Sequence, residues 1–229
     1  MESNVICAIF GSKSPSMFEV LYEANKARGT FASSVCSLRD TSQHLVKAEG
    51  AIDFDKFMID SEADYFFGHV QAPTSKKRIW DSDTSHPFDT FSWMVCHNGV
   101  LTNDDNLRDL IKGTSALKDN PVDTSVIGAL LDQYHSDTAL RLKPVQVIEK
   151  VASKLEGTFA LSILLKETNE LFITRVGSIL HYDNRGNFST MKGNGFKELK
   201  EGVIMRLNTR TSRWNKVGSY PVESPFVFI

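Results

Sequence analysis

Apolar and polar positions alternate along this chain with two different periods. The run Val5-Ile6-Cys7-Ala8-Ile9-Phe10 is apolar, stops at Gly11 and reads as a strand. Ser14-Pro15 follows as an N-cap with proline at the first helical position. Met17, Val20, Leu21 and Ala24 then recur at helical spacing, a core stripe on a helix ending near Arg28-Gly29. Thr30 to Leu38, His44 to Ala48 and Asp64 to Val70 read as strands, and a polar loop runs from Thr74 to Ser85. Phe91 to Cys96 is a buried strand ending at His97-Asn98-Gly99. Helices are expected over Asn103 to Lys112, Val122 to Tyr134 and Pro144 to Leu155, the first with an acidic first turn that suits the positive end of its dipole. Strands close the chain at Thr158 to Leu165, Leu171 to Thr174, Ser178 to Tyr182, Val203 to Leu207 and Trp214 to Tyr220.

Strands and helices therefore come in blocks, and alternating β-α-β units are scarce. That pattern predicts an α+β protein of mostly antiparallel sheets covered by helices, not a doubly wound parallel sheet. No internal repeat or long linker interrupts it, so residues 7–229 are expected to form one domain, with residues 1–6 as an extension or propeptide. A hydrophobic fraction of 41% and a charged fraction of 24% are ordinary for a globular chain and exclude a disordered one. The formal net charge of -2 gives no electrostatic footprint for nucleic acid or an anionic membrane. No apolar run approaches the roughly 20 residues that span a bilayer. Met1-Glu2-Ser3-Asn4 carries no lysine or arginine, so it is not read as a secretory signal. Cys7, Cys36 and Cys96 contain no Cys-x-x-Cys pair, which argues against zinc; sparse free thiols fit a reducing, cytoplasmic setting. No metal and no cofactor is expected.

Five short segments carry the candidate chemistry. They are Cys7-Ala8-Ile9-Phe10-Gly11; Arg28-Gly29; Gly68-His69-Val70-Gln71-Ala72-Pro73-Thr74; His97-Asn98-Gly99-Val100-Leu101-Thr102-Asn103, preceded by Ser85-His86-Pro87; and Asp123-Thr124-Ser125-Val126. In this order they resemble the class II glutamine amidotransferases, whose nucleophile is an N-terminal cysteine. Leu155-Glu156-Gly157-Thr158-Phe159-Ala160-Leu161 and Leu199-Lys200-Glu201-Gly202-Val203-Ile204 extend the resemblance over nearly the whole chain. No single motif is specific; their order is. The resemblance implies a four-layer αββα sandwich of two antiparallel sheets, the N-terminal-nucleophile hydrolase fold.

It also implies a reaction. Cys7 would attack the side-chain amide of glutamine, form a thioester and release ammonia, with its own α-amine as general base. Asn98 and the Gly99 N–H would hold the oxyanion. Asp123 would pair with the substrate α-ammonium, Thr74 and His86 would line the pocket, and Arg28 would sit near the nucleophile. At the position where the family carries an arginine for the α-carboxylate, this chain has Gln71, a neutral amide that cannot make the bidentate, charge-assisted contact. Lys76, Lys77 and Arg78 follow shortly after as alternative cations.

Each residue also has a plainer reading. Cys7, like Cys36 and Cys96, is on its own a core thiol; His97-Asn98-Gly99 is on its own a hairpin turn; His69 and His86 are structural histidines; Asp123 is an N-cap; Arg28 caps the first helix. Six residues precede Cys7 and block its amine, so activity is expected only if the Ile6–Cys7 bond is cleaved. The expected partners are glutamine and a separate ammonia-accepting synthetase or synthase. Two alternatives stay open: a catalytically silent binding or regulatory module, and an amidase for a different amide.

Overall fold

A computed structural model describes residues 7–29, 31–52, 54, 62–72, 79–112, 117–208 and 211–222. The strands are β1 (Ala8–Ser12), β2 (Ala32–Arg39), β3 (Ser42–Glu49), β4 (Tyr65–Gln71), β5 (Phe88–Asp89), β6 (Trp93–Leu101), β7 (Gly157–Leu165), β8 (Glu170–Val176), β9 (His181–Tyr182), β10 (Phe188–Ser189), β11 (Lys197–Glu198), β12 (Val203–Asn208) and β13 (Arg213–Ser219). The helices are α1 (Pro15–Lys26), α2 (Asp104–Asp109), α3 (Thr124–Ser136) and α4 (Pro144–Ala152). One sheet runs β11-β9-β10-β1-β4-β2-β3 and the other β13-β12-β8-β7-β6-β5. Every registered strand pair is antiparallel.

Side-chain alternation sorts the apolar residues into three cores and the elements into four layers. Ala8 and Phe10 of β1 pack with Val35, Phe66 and Val70 against Phe18, Leu21 and Tyr22 of α1. The intervening Ile9 joins Cys36, Phe67, Met94, Cys96, Ala160 and Ile173 between the sheets. Trp93 and Val95 of β6 face the other way, onto Ile127 and Leu130 of α3 and Ile148 and Val151 of α4. The order is α1, first sheet, second sheet, then α2–α4, the four-layer αββα sandwich expected.

Some expectations shift. The buried stripe of α1 is Phe18, Leu21, Tyr22 and Asn25, not Met17, Val20, Leu21 and Ala24; Val20 is 60% exposed. Two stripes of identical period compete, and the aromatic one buries more apolar area. Asn25 is tolerated in it because its amide donates to Leu21 O and Ser189 Oγ. Strand β6 continues five residues past Cys96, through His97-Asn98-Gly99 to Leu101, because β7 pairs with it throughout. The segment is therefore not a hairpin turn. Helix α2 is shorter than Asn103 to Lys112, and α4 ends at Ala152 rather than Leu155. The two-residue strands β5, β10 and β11 have too little alternation to be seen in sequence. Thr74, with Lys76, Lys77 and Arg78, lies outside the described residues.

Candidate active site

The site is built where the interlayer space opens. Cys7 precedes β1 and by alternation shares the interlayer side of Ile9. It is half-buried and forms no disulfide. One step beyond the registered pair Ala8↔Val70 brings it opposite Gln71, whose side chain is buried. Across the gap, Met94, Cys96 and Asn98 alternate along the interlayer face of β6. Met94 and Cys96 are enclosed there, and burial pushes the Cys96 thiol up to about 12. The charge of a Cys7 thiolate is felt at Cys96 and, on the other side, at Arg28.

Arg28 follows the last turn of α1. Burial lowers its guanidinium from the ordinary value, and Cys7 acts to raise it. Its Nη1 reaches Met191 Sδ at 3.6 Å. Gly29 explains the turn: a Cβ there would stand 2.3 Å from the Gln71 carbonyl carbon. The Phe31 N–H then donates to Gln71 O at 3.0 Å. Thus the Arg28-Gly29 turn and the end of β4 are fastened together beside the thiol.

The end of β6 supplies the complementary group. Strand β5 pairs at Val95 and Met94, so beyond them one edge of β6 has no strand partner among the described residues. The odd-numbered residues face that edge: Trp93 O accepts from Thr90 N, His97 O lies 3.1 Å from His69 Nε2, and Leu101 N–H donates to Asp123 Oδ2 at 3.0 Å. By the same alternation the Gly99 N–H points to the open edge. Gly99 has φ of 150°, and a Cβ on it would sit 2.0 Å from Thr158 O and 2.9 Å from His97 Nε2. Only glycine fits. The neighbouring Asn98 is 3% exposed, and its side-chain carbonyl has no hydrogen-bond partner among the described residues. It shares that state with Trp93 Nε1, Ser162 Oγ and other buried atoms, each at a cost in stability.

A buried polar network backs this edge. His86 Nε2 and His97 Nδ1 lie 2.8 and 3.0 Å from Thr124 Oγ1, at the start of α3. The Thr124 hydroxyl donates to Asp123 Oδ1 at 3.2 Å, and the His86 ring stacks on His69 with centroids 4.1 Å apart. Asp123 occupies the N-cap position of α3 but makes no side-chain cap there; its carboxylate turns back onto β6 instead. Burial opposes its ionisation, but His97, the Leu101 N–H and the Thr124 hydroxyl outweigh burial and hold it below the usual carboxylate value. Sequence reasoning assigned no role to His97 or Thr124, although both lie inside quoted motifs. His86, by contrast, is brought to the site through Thr124. Among the described residues no group of acids, histidines or cysteines could hold a metal. No helix there is long and apolar enough to cross a membrane.

Comparison with known proteins adds the following likenesses. Residues 79–178 match the family described as glutamine amidotransferase domain. The chain is 28% identical over 155 residues to glutamine–fructose-6-phosphate aminotransferase of Zymomonas mobilis, covering 67% of this chain and 25% of that protein. It is 29% identical over 106 residues to the protein of the same name from Bradyrhizobium diazoefficiens, covering 46% of this chain and 17% of that one. It therefore spans about a quarter or less of the curated relatives it matches. Among solved structures, glutamine phosphoribosylpyrophosphate amidotransferase from B. subtilis superposes with a TM-score of 0.72 at 16% identity, over 93% of this chain and 49% of that one. A glutamine aminotransferase class-II domain protein from Silicibacter pomeroyi superposes with a TM-score of 0.59 at 12% identity, over 94% of this chain and 100% of that one.

Proposed function

We propose that this chain, which carries a class II glutamine amidotransferase domain, hydrolyses the side-chain amide of glutamine with Cys7 as nucleophile and passes the ammonia to an acceptor enzyme. The observation that carries the reading is a half-buried thiol on the interlayer side of one sheet, opposite the Asn98-Gly99 end of β6 on the interlayer side of the other. Cys7 Sγ adds to the amide carbon, and the developing oxyanion takes hydrogen bonds from Asn98 and the Gly99 N–H. The C–N bond breaks, the nitrogen takes up a proton and leaves as ammonia, and a thioester remains. Water adds to that carbon and releases glutamate and the thiol. The proton acceptor is the α-amine of Cys7, freed by cleavage of the Ile6–Cys7 bond. Arg28 supplies positive charge beside the thiolate, Asp123 accepts the substrate α-ammonium, and Gln71, Thr74 and His86 complete the pocket. Cysteines that form no disulfide suit a reducing, cytoplasmic compartment.

The test compares the chain with residues 1–6 retained and the chain beginning at Cys7. Ammonia release from glutamine, and covalent labelling of Cys7 by 6-diazo-5-oxo-norleucine, are expected only in the second form. Intact mass of protein from its native host should then show loss of six residues. Absence of both turnover and labelling in the form beginning at Cys7 would overturn the reading. A silent binding module, favoured by the neutral Gln71 opposite the thiol, would then remain.

A further inference from the structure

We propose that Asp123 is also a positioning residue for the oxyanion donors, holding the Asn98-Gly99 segment from both sides with a single carboxylate. The proposal rests on the glutaminase reading above and goes beyond the ammonium contact given to Asp123 there.

An exposed strand edge normally carries unpaired backbone groups, and a bent segment on such an edge has little to fix it. Beyond Val95 the β6 edge has no strand partner among the described residues. Asp123 stands where that strand would continue. Its Oδ2 accepts the Leu101 N–H at 3.0 Å, two residues after Gly99. Its Oδ1 lies 3.6 Å from His97 Nδ1, two residues before Gly99. His97 is fixed in turn: Nδ1 also meets Thr124 Oγ1 at 3.0 Å, and Nε2 lies 3.4 Å from Thr158 O on β7. The ring passes so close under Gly99 that a Cβ there would be 2.9 Å from Nε2. So the two anchors of the segment converge on one carboxylate, and the residues between them are the oxyanion donors. The Asp123 side chain keeps 24% of its surface exposed, which leaves room for an ammonium at the same oxygens. One group thus reads the substrate's amine and sets the geometry of its amide.

A residue that only bound the ammonium would be irrelevant to a substrate that lacks one. Glutaric acid monoamide is glutamine without its amino group. The experiment measures kcat and KM of wild-type, Asp123→Ala and Asp123→Asn protein, each beginning at Cys7, on glutamine and on the monoamide. Melting temperatures check that each variant is folded, and the isosteric Asp123→Asn is used if Asp123→Ala is not. On glutamine both constants worsen. On the monoamide kcat falls about tenfold with KM unchanged, because the donors are displaced though no ammonium contact is lost. Variants that equal wild type on the monoamide overturn the proposal while leaving the glutaminase reading intact. If wild-type protein turns over neither compound, the glutaminase reading fails, and amide hydrogen exchange over 97–101 decides the positioning claim alone. Faster exchange in the Asp123 variant supports it, and unchanged protection overturns it.

Discussion

The interior of the interlayer space and its rim use the same residue types to opposite ends. In the interior, Cys36 and Cys96 are enclosed with Met94, Phe67 and Ile173, and burial pushes both thiols up, Cys96 to about 12. At the rim, Cys7 is half-buried beside a guanidinium. The three sulfurs line one interlayer space, so depth rather than residue identity would separate an inert thiol from a reactive one. The asparagines repeat the contrast. Asn103 is fully engaged: its amide donates to Lys154 O at 2.9 Å and its carbonyl accepts from Glu156 N at 3.1 Å. Asn98, five residues earlier, has a buried carbonyl with no such partner. The fold satisfies Asn103 at both ends, whereas the Asn98 carbonyl is one of several buried polar atoms left without a partner among the described residues, at a cost in stability.

Substitution of the thiols gives the largest separation. Cys7→Ser should lower ammonia release by about 10⁴-fold or more, since an activated nucleophile has no substitute. Cys96→Ala should leave the rate at the wild-type level and cost about 1 kcal/mol of stability, the loss of one well-packed sulfur. Mass-mapped alkylation at pH 7 should find Cys7 first, with Cys36 and Cys96 modified only on unfolding. Equal labelling of the three would abolish the distinction of depth.

The asparagine pair is next. Asn98→Ala should reduce kcat about 100-fold, the loss of one oxyanion donor, while its unfolding midpoint in urea stays at or above that of wild type. Asn103→Ala should do the reverse, costing about 2 kcal/mol by stranding the Glu156 N–H and the Lys154 carbonyl. If Asn98→Ala were instead the destabilised variant, its amide would be structural and the rim would be an ordinary part of the core.

Legibility in the sequence follows the same division. The block order of strands and helices was enough for antiparallel sheets under helices, because amphipathic period is a local property. The phase of a period is not local. On α1 the stripes beginning at Met17 and at Phe18 are equally helical, and only the β1–β4 surface they meet selects the second. Cys7, Asn98, Gly99 and Asp123 could be named from ordered motifs, yet His97-Asn98-Gly99, whose plainer reading is a turn, lies in a strand with one edge unpaired by any strand among the described residues. That difference depends on β5 being two residues long, which no alternation reveals. The tie between Asp123 and Leu101 joins elements 22 residues apart, so neither motif alone contains it.

Acid and base should attack the two regions separately, which gives the smallest but most local test. The Asp123 carboxyl is held below its ordinary value of 3.8, because His97, Leu101 and Thr124 favour the ionised form more than burial opposes it. A depressed carboxyl stabilises the fold fully above the unfolded value, and that stabilisation is lost as pH falls below it. The interior thiols have the opposite sign. Their folded values are raised above the ordinary 9.0, so the unfolded chain ionises first and stability falls as pH rises past about 9. Melting temperatures of wild type, Asp123→Asn and a Cys36→Ala, Cys96→Ala double variant, followed from pH 3 to 10, should therefore diverge in opposite directions. The gap between wild type and Asp123→Asn should close below about pH 4, as the wild-type carboxyl takes up its proton. The double variant should lose less stability than wild type above about pH 9. A wild-type-to-Asn gap that stayed constant down to pH 3 would mean that Asp123 holds the β6 edge by shape alone, and the charge on the rim would have no part in keeping the oxyanion segment in place.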